Sequence, residues 1–428
     1  MRLILGVCAL AIAAGAASAQ VRTSAPRDTI EVLRLSRQQA IAEALTRNAQ
    51  LDVAREQIAE ARARRVQAVA IPDPALTAAY DQSPGPFTFG TAASRPVSLG
   101  LDVPFPDKFR LNNRIGVADI RANEQNFRLQ TQTVAEAAST SYDSLLVALA
   151  HRTVLTETRD LANDFLSRTQ TRYQAGSAAR LDVIQAQVAV AQANNDLIAN
   201  EGEITAAQAS LNRALGRVRG SPIVPTDTLA LPAPLPDSAT IETTALENRP
   251  ELAILQQQRA GAGATTSLTK EFWLPDFTFA VQRDYAPQGG PALFTTGIAL
   301  PLPLLYWQHS RGDIAQAQHI ERELAATYRD TRAQVVQDVR TAYANAATAI
   351  KQAIFIRDEL VPAAREQYRV SSTSYSLGGT SALEVLTART ALLQAESQLA
   401  DAIAAASTAR ADLNRALGIP VTPGASNP

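Results

Sequence analysis

The feature that most constrains this chain is a long stretch that occurs twice without a gap. The first copy spans residues 173–216 and the second spans 375–418. Both copies end in the same six residues, Leu-Asn-Arg-Ala-Leu-Gly. The matched pairs include Tyr173 with Tyr375, Gly176 with Gly378, Leu181 with Leu383 and Val183 with Val385. A long internal repeat fixes the architecture before any local pattern does, so the chain is predicted to fold as two similar halves.

Each copy predicts two helices joined by a tight turn. Gly176 and Gly378 can adopt the positive φ that reverses a chain at the end of a helix. The residues that follow in the first copy, 177–182, include serine and aspartate side chains that can cap the free N–H groups of the returning helix. The repeat is therefore predicted to be an αα-hairpin that is made twice.

The composition and the N-terminus exclude several classes of protein. The net charge is -1, which gives no reason to expect a nucleic-acid partner. Residues 1–19 have one positive charge, an apolar core and a small-x-small ending, which indicates a cleaved secretory signal peptide rather than a membrane anchor. Cys8, the only cysteine, lies in that segment, so disulfide, thiol–zinc and cysteine-nucleophile chemistry are excluded from the mature chain.

The first half is predicted to run from residue 36 to 221, after a flexible leader at 20–35. Its pattern is helical from 36 to about 69, and two strands then flank a Gly/Pro-rich loop. In the second strand Val97, Leu99, Leu101 and Val103 share one face, because their spacing is two. No proline interrupts 107–172, which predicts a single helix of about 65 residues, or roughly 100 Å at 1.5 Å per residue.

The second half repeats this order. A proline-rich linker at 222–237 leads to a helix at 238–268, in which Pro250 predicts a break and restart. Strands are predicted at 277–281 and 293–300, and a long helix with a kink candidate at Pro362 leads to the second turn. The second repeat is taken as 238–419 and a C-terminal tail as 420–428. The chain is therefore predicted to be mainly α with a small β part.

The strands constrain the assembly state. Each half supplies two strands, and four strands cannot close a barrel, so the sheet would keep exposed edges. No run after residue 19 is long and apolar enough for a transmembrane helix, which leaves a periplasmic, secreted or outer-membrane β-protein. An oligomer that closes the sheet is the physical solution, and three copies would give twelve strands and twelve long helices.

With these motifs in hand, the chain resembles the TolC family of outer-membrane efflux channels. The resemblance rests on the two Tyr-x-x-Gly-x-x-x-x-Leu-(Asp/Glu)-Val-(Ile/Leu)-x-Ala hairpins and on Arg249-Pro250-Glu251-Leu252. It implies a homotrimer with a twelve-stranded β-barrel in the lipid of a Gram-negative outer membrane and a coiled-coil α-helical barrel in the periplasm. It also implies two partners, a periplasmic adaptor protein and an inner-membrane pump of the RND or ABC type. An outer-membrane component of type I protein secretion remains an alternative.

A narrower resemblance is to the heavy-metal, cobalt-zinc-cadmium type branch of the family. It rests on three segments: Val-Pro-Phe-Pro-Asp-Lys-Phe-Arg at 103–110, Leu-Pro-Leu-Pro-Leu-Leu at 300–305 and Arg-Gly-Asp-Ile-Ala-Gln-Ala at 311–317. This resemblance makes a metal ion one candidate substrate. Organic drugs and secreted polypeptides remain open.

The family resemblance also implies a periplasmic gate at the hairpin tips. Acidic residues at the positions of Asp182 and Glu384 narrow the closed tip in the family, whereas the alternative role is to cap the returning helices. Arg180, Tyr173 and Tyr375 are expected to tie the two hairpins together, and ordinary helix packing is the alternative for each tyrosine. The adaptor is expected to contact the turns themselves, although turn geometry alone would also select their glycines. Those turn residues are Ala175, Gly176, Ser177, Leu377, Gly378 and Gly379.

No motif indicates catalysis, a cofactor or a metal site. The sequence has no Gly-rich phosphate loop and no G-x-S-x-G motif, and no two histidines are spaced as in a helical metal site. The predicted function is therefore a passive exit duct of a tripartite efflux pump. Two alternatives from other classes are a soluble periplasmic helical scaffold or adaptor, and a periplasmic enzyme.

Overall fold

The computed structural model describes residues 33–79, 95–217, 220–274, 276–285, 291, 293–300 and 310–419. The predicted signal peptide, leader residues 20–32 and the tail at 420–428 lie outside these ranges. Helices account for most of the described residues. In the first repeat they are α1 Arg37–Arg47, α2 Ala49–Ala68, α3 Pro106–Gln174 and α4 Arg180–Ala214. In the second they are α5 Ile241–Asn248, α6 Pro250–Lys270, α7 Ser310–Phe355, α8 Val361–Ser376 and α9 Ala382–Ala416.

The strands form two sheets in the described residues. They are β1 Leu33–Leu35, β2 Ala75–Ala78, β3 Arg95–Val103, β4 Ile223–Pro225, β5 Phe277–Tyr285 and β6 Leu293–Ala299. The larger sheet has the order β2-β3-β5-β6, and every neighbouring pair is antiparallel. It joins the two repeats, because β3 of the first repeat pairs along its whole length with β5 of the second. This sheet and the long helices confirm the predicted mainly α fold with a small β part.

The four-stranded sheet has one apolar and one polar face. Leu99 lies opposite Val281, which lies opposite Thr296 on the same face. The side chains of this face are largely exposed in the protomer, and Arg283 lies at its end over the ring of Phe294. The apolar members of this face are Leu76, Val97, Leu99, Leu101, Val103, Phe277, Phe279, Val281, Phe294 and Ile298. The other face is mostly polar or small, with Ser98, Gly100, Asp102, Thr278 and Gln282, and Leu293 lies at its end opposite Asp284.

Several boundaries differ from the sequence prediction. Leu33–Leu35, assigned to a flexible leader, form β1, and the linker supplies β4, which pairs with β1 in parallel. The single helix predicted from 36 to about 69 is two helices, because the side chain of Asn48 caps α2 by accepting a hydrogen bond of 2.9 Å from the Gln50 amide. The break at Pro250 is confirmed, since α5 ends at Asn248 and α6 begins at Pro250.

Each repeat closes against its own beginning. Gly216 follows α4 with a φ of 73°, and a Cβ added there would lie 2.5 Å from the carbonyl oxygen of Arg47. Gly418 follows α9 with a φ of 69°, and a Cβ added there would lie 2.7 Å from the carbonyl oxygen of Asn248. Only glycine combines a positive φ with so close an approach of two backbones. The end of each repeat therefore rests on the junction between its first two helices.

The two repeats bury matching residues. In the first core Val134, Ala138, Tyr142 and Leu145 of α3 pack against Leu211 and Leu215. In the second core Val335, Val339, Tyr343 and Ala346 of α7 pack against Leu413 and Leu417. The α7 residues follow their α3 counterparts by 201 positions, as from Tyr142 to Tyr343. The duplication read from the sequence is thus a duplication of the packed core. Among the described residues, no helix combines the length and the apolar character needed to cross a membrane.

A buried polar network fastens the first residues of the fold to α3. Arg37 donates a hydrogen bond from Nη2 to the buried carboxylate of Asp143, and its backbone N–H donates to Asp227 Oδ2 at 2.7 Å. The hydroxyl of Tyr142 donates to the carbonyl of Leu35 at 3.0 Å. Burial raises the pKa of Asp143, and the nearby guanidinium of Arg37 opposes that rise.

Removing Arg37 is expected to destabilise the fold in a pH-dependent way. The Arg37→Ala variant leaves Asp143 buried without its charge partner. The expected loss is about 2 kcal/mol at pH 7.5, below the roughly 3–5 kcal/mol of a fully buried pair, because Arg37 is 37% exposed. The folded protein then binds a proton on Asp143 before the unfolded chain does, so the deficit shrinks as the pH falls towards 5. Thermal unfolding in detergent at both pH values measures this.

The control for Arg37→Ala is Arg34→Ala. Arg34 is an exposed arginine of β1, three residues earlier in the chain. Its replacement is expected to leave the unfolding midpoint unchanged at both pH values. A deficit of the same size at pH 7.5 and pH 5 in Arg37→Ala would contradict the assigned role of Asp143.

Candidate functional site

The two hairpin tips have the same turn geometry. At the first tip Gly176 has a φ of 73°, and its N–H donates to Tyr173 O at 3.0 Å while the N–H of Ser177 donates to Arg172 O at 2.8 Å. These two bonds are the pattern in which a left-handed residue closes a helix and satisfies its last carbonyl groups. At the second tip Gly378 has a φ of 83° and its N–H donates to Tyr375 O at 3.0 Å. The positive φ predicted for both glycines is confirmed.

The predicted acidic residues begin the returning helices, where they differ from each other. The carboxylate of Asp182 accepts a hydrogen bond of 3.2 Å from the backbone N–H of Ala179, so Asp182 caps α4. In α9 the hydroxyl of Ser381 caps the helix by accepting from the N–H of Glu384 at 3.3 Å. The Glu384 side chain is exposed. Capping of α4 therefore explains the carboxylate of Asp182. The carboxylate of Glu384 has no such role, because Ser381 caps α9.

Tyr375 lies between the two hairpins and contacts three residues of α3. It is 5% exposed, and its ring centroid lies 5.2 Å from that of Phe165. Its hydroxyl lies 3.3 Å from Thr169 Oγ1, in hydrogen-bond contact. The guanidinium carbon of Arg172 lies 4.4 Å from the centroid of the Tyr375 ring, and Arg172 Nη1 donates a hydrogen bond to Tyr375 O. We call these four residues, Phe165, Thr169, Arg172 and Tyr375, the tip latch.

The other two residues predicted to tie the hairpins do not contribute to the tip latch. Tyr173 is 45% exposed and Arg180 is exposed at the first turn of α4. Within the described part of one protomer, neither side chain forms a hydrogen bond or ion pair with the second hairpin. The structure thus brings Tyr375 to the hairpin interface and leaves Tyr173 and Arg180 at the surface of the protomer.

Sequence reasoning predicted Tyr375 and missed the three latch residues of α3, Phe165, Thr169 and Arg172. The repeat directs attention to positions that match between the two halves, and the latch positions of α3 do not match. Phe165, Thr169 and Arg172 are replaced at the corresponding places of the second half by Gln367, Ser371 and Ser374. Only a map of contacts could have found Arg172, because its partner lies on another helix about two hundred residues later.

The residues predicted to contact an adaptor form the exposed ends of both turns. All six are exposed, and Leu377 is 83% exposed. A Cβ added at Gly176 or Gly378 would meet no atom within 4 Å, so a partner can approach the backbone at both turns. Turn geometry alone accounts for the two glycines. It does not account for an apolar side chain as exposed as that of Leu377.

Two further polar contacts join α3 to α9 above the tips. Arg415 Nη1 lies 3.3 Å from Glu136 Oε2, and His151 Nε2 lies 3.1 Å from Asp401 Oδ1. Burial raises the pKa of Glu136, and the charge of Arg415 opposes the rise. Polar contacts therefore join α3 to the second half at several levels between the β3–β5 pairing and the tip latch.

One cavity in the described residues is lined by side chains that form no recognisable catalytic group. This cavity of about 640 Å³ lies between α2, α3 and α6, and its polar lining is amides, arginines and the single carboxylate of Asp119. That carboxylate lies 3.2 Å from Arg64 Nη2, so it is paired. In the described ranges no three histidine, cysteine or acidic side chains are grouped so that they could hold a metal ion.

Comparison with known proteins points to one family. A sequence profile described as outer membrane efflux protein matches residues 40–217 and 243–419, one range within each of the two predicted repeats. The chain is 27% identical over 312 residues to the pyoverdine export outer membrane protein OpmQ of Pseudomonas putida, an alignment that covers 68% of this chain and 64% of the relative. It is 21% identical over 280 residues to the cobalt-zinc-cadmium resistance protein CzcC of Cupriavidus metallidurans, covering 65% of this chain and 66% of the relative.

These two alignments span just under two thirds of each relative's length. Among solved structures, the outer membrane protein VceC of Vibrio cholerae superposes with a TM-score of 0.73 at 18% sequence identity, covering 89% of this chain and 96% of that protein. At this identity the likeness shows a shared fold over nearly the whole chain.

Proposed function

This chain belongs to the outer membrane efflux protein family, and we propose that it is the exit duct of a tripartite efflux pump. Three copies form one channel that spans the outer membrane and extends into the periplasm. Transport through it is passive, and the duct performs no chemistry on the substrate. A periplasmic adaptor protein and an inner-membrane pump of the RND or ABC type complete the assembly and supply the energy.

The observation that carries this proposal is the two-faced sheet. Its apolar face is largely exposed in the part of the protomer that the structure describes, with Leu99 49% exposed, Phe279 44% and Ile298 62%. An apolar face of alternate residues opposite a polar face is what a lipid-facing barrel wall requires. The outer strands β2 and β6 leave open edges, and a row of free N–H and C=O groups cannot remain in lipid.

Pairing between three copies would give hydrogen-bond partners to the free backbone groups at the edges of β2 and β6. Within the sheet every neighbouring pair is antiparallel, so β2 and β6 run in opposite directions. Next to a second copy, β6 of one protomer can therefore pair antiparallel with β2 of the next. Three copies give twelve strands, within the range of closed membrane barrels. The polar face, which carries Asp102 and Gln282, then lines the channel.

The long helices support a tunnel below the barrel, and its gate lies at their tips. The 69 residues of α3 extend about 100 Å at 1.5 Å per residue. Asp182, Glu384, Arg180, Tyr173 and Tyr375 form the periplasmic gate, with the tip latch holding the closed state. The exposed turns around Gly176 and Gly378 receive the adaptor. Exposure of both turns and the burial of Tyr375 between hairpins support these assignments.

The relatives support export through a shared duct with selectivity elsewhere. One is named for pyoverdine export and another for resistance to cobalt, zinc and cadmium. Relatives with such different cargoes support a channel whose substrate is chosen by its pump. The residues at 103–110 and 311–317 that resemble the heavy-metal branch keep metal ions among the candidates for this chain.

Native mass spectrometry of the detergent-extracted protein tests this function. Inner and outer membranes are separated first, and each is extracted. A species of three protomers in the outer-membrane fraction is the expected result. A monomer released without detergent would contradict the duct and would leave the soluble helical scaffold as the better reading.

A further inference from the structure

The two repeats fall out of register by one residue within their long helices. Near the middle of α3, the corresponding buried residues of the two repeats are 201 positions apart, as from Val134 to Val335. Towards the tips the separation is 202 positions, as from the buried Ala162 to the buried Ala364 and from Gly176 to Gly378. The second repeat therefore contains one extra residue between these two levels.

The extra residue is accommodated in a π-helical turn. Ile356–Leu360 form this turn between α7 and α8, and the N–H of Val361 donates to Ile356 O, five residues earlier. A single inserted residue is the usual origin of such a turn, which leaves the helix on both sides in place. The matched burial on both sides of the turn agrees with this origin.

Pro362 weakens the same place further. It lies in the first turn of α8 and has no backbone N–H, so it removes one more hydrogen bond from the ladder. The counterpart in the first repeat is different, because α3 runs unbroken from Pro106 to Gln174. π-turns and prolines are the places where long helices bend. The long helix of the second repeat therefore has a place where it can bend, between α7 and α8, whereas α3 of the first repeat is continuous.

The side chains of the turn leave it free to bend. Of its five residues only Ile356 packs into a core, against a cluster that includes Val361 and Leu392. The other four are exposed, and Arg357 pairs only with its neighbour Asp358, at 2.7 Å. Within the described part of the chain, no side-chain hydrogen bond or ion pair joins this turn to another helix, so none opposes a change of angle there.

We propose that the π-turn Ile356–Leu360 is the hinge of the gate. When the tip latch opens, α8 and the lower end of α9 swing about this turn, while α3 and α4 stay in place. About 20 residues separate the turn from Gly378, a lever of roughly 30 Å at 1.5 Å per residue, so a bend of about 10° moves the tip by about 5 Å. That displacement is enough to separate Tyr375 from Arg172, whose guanidinium lies 4.4 Å from the ring centroid.

The α9 helix follows by gentle curvature along its 35 residues. Its buried contacts in this region include the small side chains of Ala388 and Ala395, which tolerate a small change of angle. This inference rests on the proposed gate, and it adds that α8 and the lower end of α9 are the segments that move when the gate opens.

A one-residue deletion tests the hinge. Removing Glu359, an exposed residue of the turn, restores a continuous α-helix while both flanking segments keep their contacts. In a background in which the tip latch is opened by Arg172→Ala, the deletion is expected to lower the leak of a large antibiotic by at least about tenfold, because the open state loses its bend. The matched control is Glu359→Ala, which keeps the residue count and is expected to leave the leak unchanged. A normal trimer with an undiminished leak after the deletion would overturn the hinge.

Spin labels give a second test that does not depend on leak. Cys8 is the only cysteine and lies in the predicted signal peptide, so one engineered cysteine supplies one label in each mature protomer. Each label at Leu377→Cys is expected to move outward by about 5 Å between the closed state and the Arg172→Ala state, so the distances between the three labels of a trimer grow by about 9 Å, whereas labels at Ala175→Cys stay in place. Equal movement at both tips would overturn the hinge. If the deletion fails to assemble, Pro362→Ala replaces it, since it restores the missing N–H.

The hinge and the gate can fail separately. A trimer that does not leak when Arg172 is replaced contradicts the gate. In that case, labels that remain fixed at Leu377 in both states would overturn the hinge as well, and labels that move only there would support it.

Discussion

Replacing Leu99 with arginine is expected to remove the trimer from the outer membrane. Leu99 lies in the middle of β3 on the apolar face, directly opposite Leu76 on one side and Val281 on the other. Arginine at the midplane on the lipid face of a barrel costs about 2–4 kcal/mol, and three copies bring the total to roughly 6–12 kcal/mol per trimer. A cost of that size is comparable with the whole stability of many proteins. Native mass of the outer-membrane extract measures the loss.

The matched control is Ser98→Arg. Ser98 is the neighbour of Leu99 on the same strand and lies on the polar face, which the proposal assigns to the lumen. Its arginine stays in water, so the trimer is expected to persist. Equal loss in both variants, or equal retention, would contradict the assignment of the two faces.

Replacing Arg172 with alanine is expected to open the tip and make the channel leak. The substitution removes a cation–π contact with Tyr375, worth about 0.5–2 kcal/mol, and a charged hydrogen bond to Tyr375 O, worth roughly 1.5–3 kcal/mol. The expected change is about 2–5 kcal/mol per tip, and a tip that is closed most of the time then opens frequently. Single-channel conductance in planar bilayers and cell sensitivity to a large antibiotic measure the leak.

Arg168→Ala is the control for the latch. Arg168 lies one turn earlier on α3, and its ion pair is with Asp164 of the same helix, at 2.8 Å, rather than with Tyr375. Its loss is expected to leave conductance unchanged. Arg172→Lys should fall between the wild type and Arg172→Ala, because lysine keeps the charge but lacks the planar group that lies over the ring. A fully assembled Arg172→Ala trimer with unchanged conductance would show that Tyr375 does not hold the tip closed.

Most of the fold could be predicted from patterns that lie within single segments of the sequence. The period-two alternation from Val97 to Val103 identified β3 and its apolar face, and the absence of proline after residue 107 identified α3. The glycines of the repeat identified both turns, because a positive φ at the end of a helix selects glycine. In each case the signal lies within one element.

The features that the sequence did not reveal depend on contacts between distant segments. β1 and β4 are three residues each and exist because they pair across nearly two hundred positions. The break at Asn48 was missed because helical spacing continues through it, and it differs from the break at Pro250 only in lacking a proline. Pro362 predicted where the helix would be distorted. The distortion begins six residues earlier, at Ile356, because one extra residue in the turn Ile356–Leu360 changes the backbone hydrogen bonds of the helix.

The closure of each repeat on its own beginning bears on the ancestry of the chain. Gly216 rests on the carbonyl of Arg47 and Gly418 rests on that of Asn248, so each half is a finished unit whose two ends are neighbours. A gene encoding one half would therefore specify a chain whose two ends meet, and six such chains could complete the ring that we propose for three full chains. Joining two halves needs only a short connection, which residues 222–237 supply. The two halves differ today in one long helix, which is unbroken in the first repeat and contains one more residue, at the π-turn, in the second.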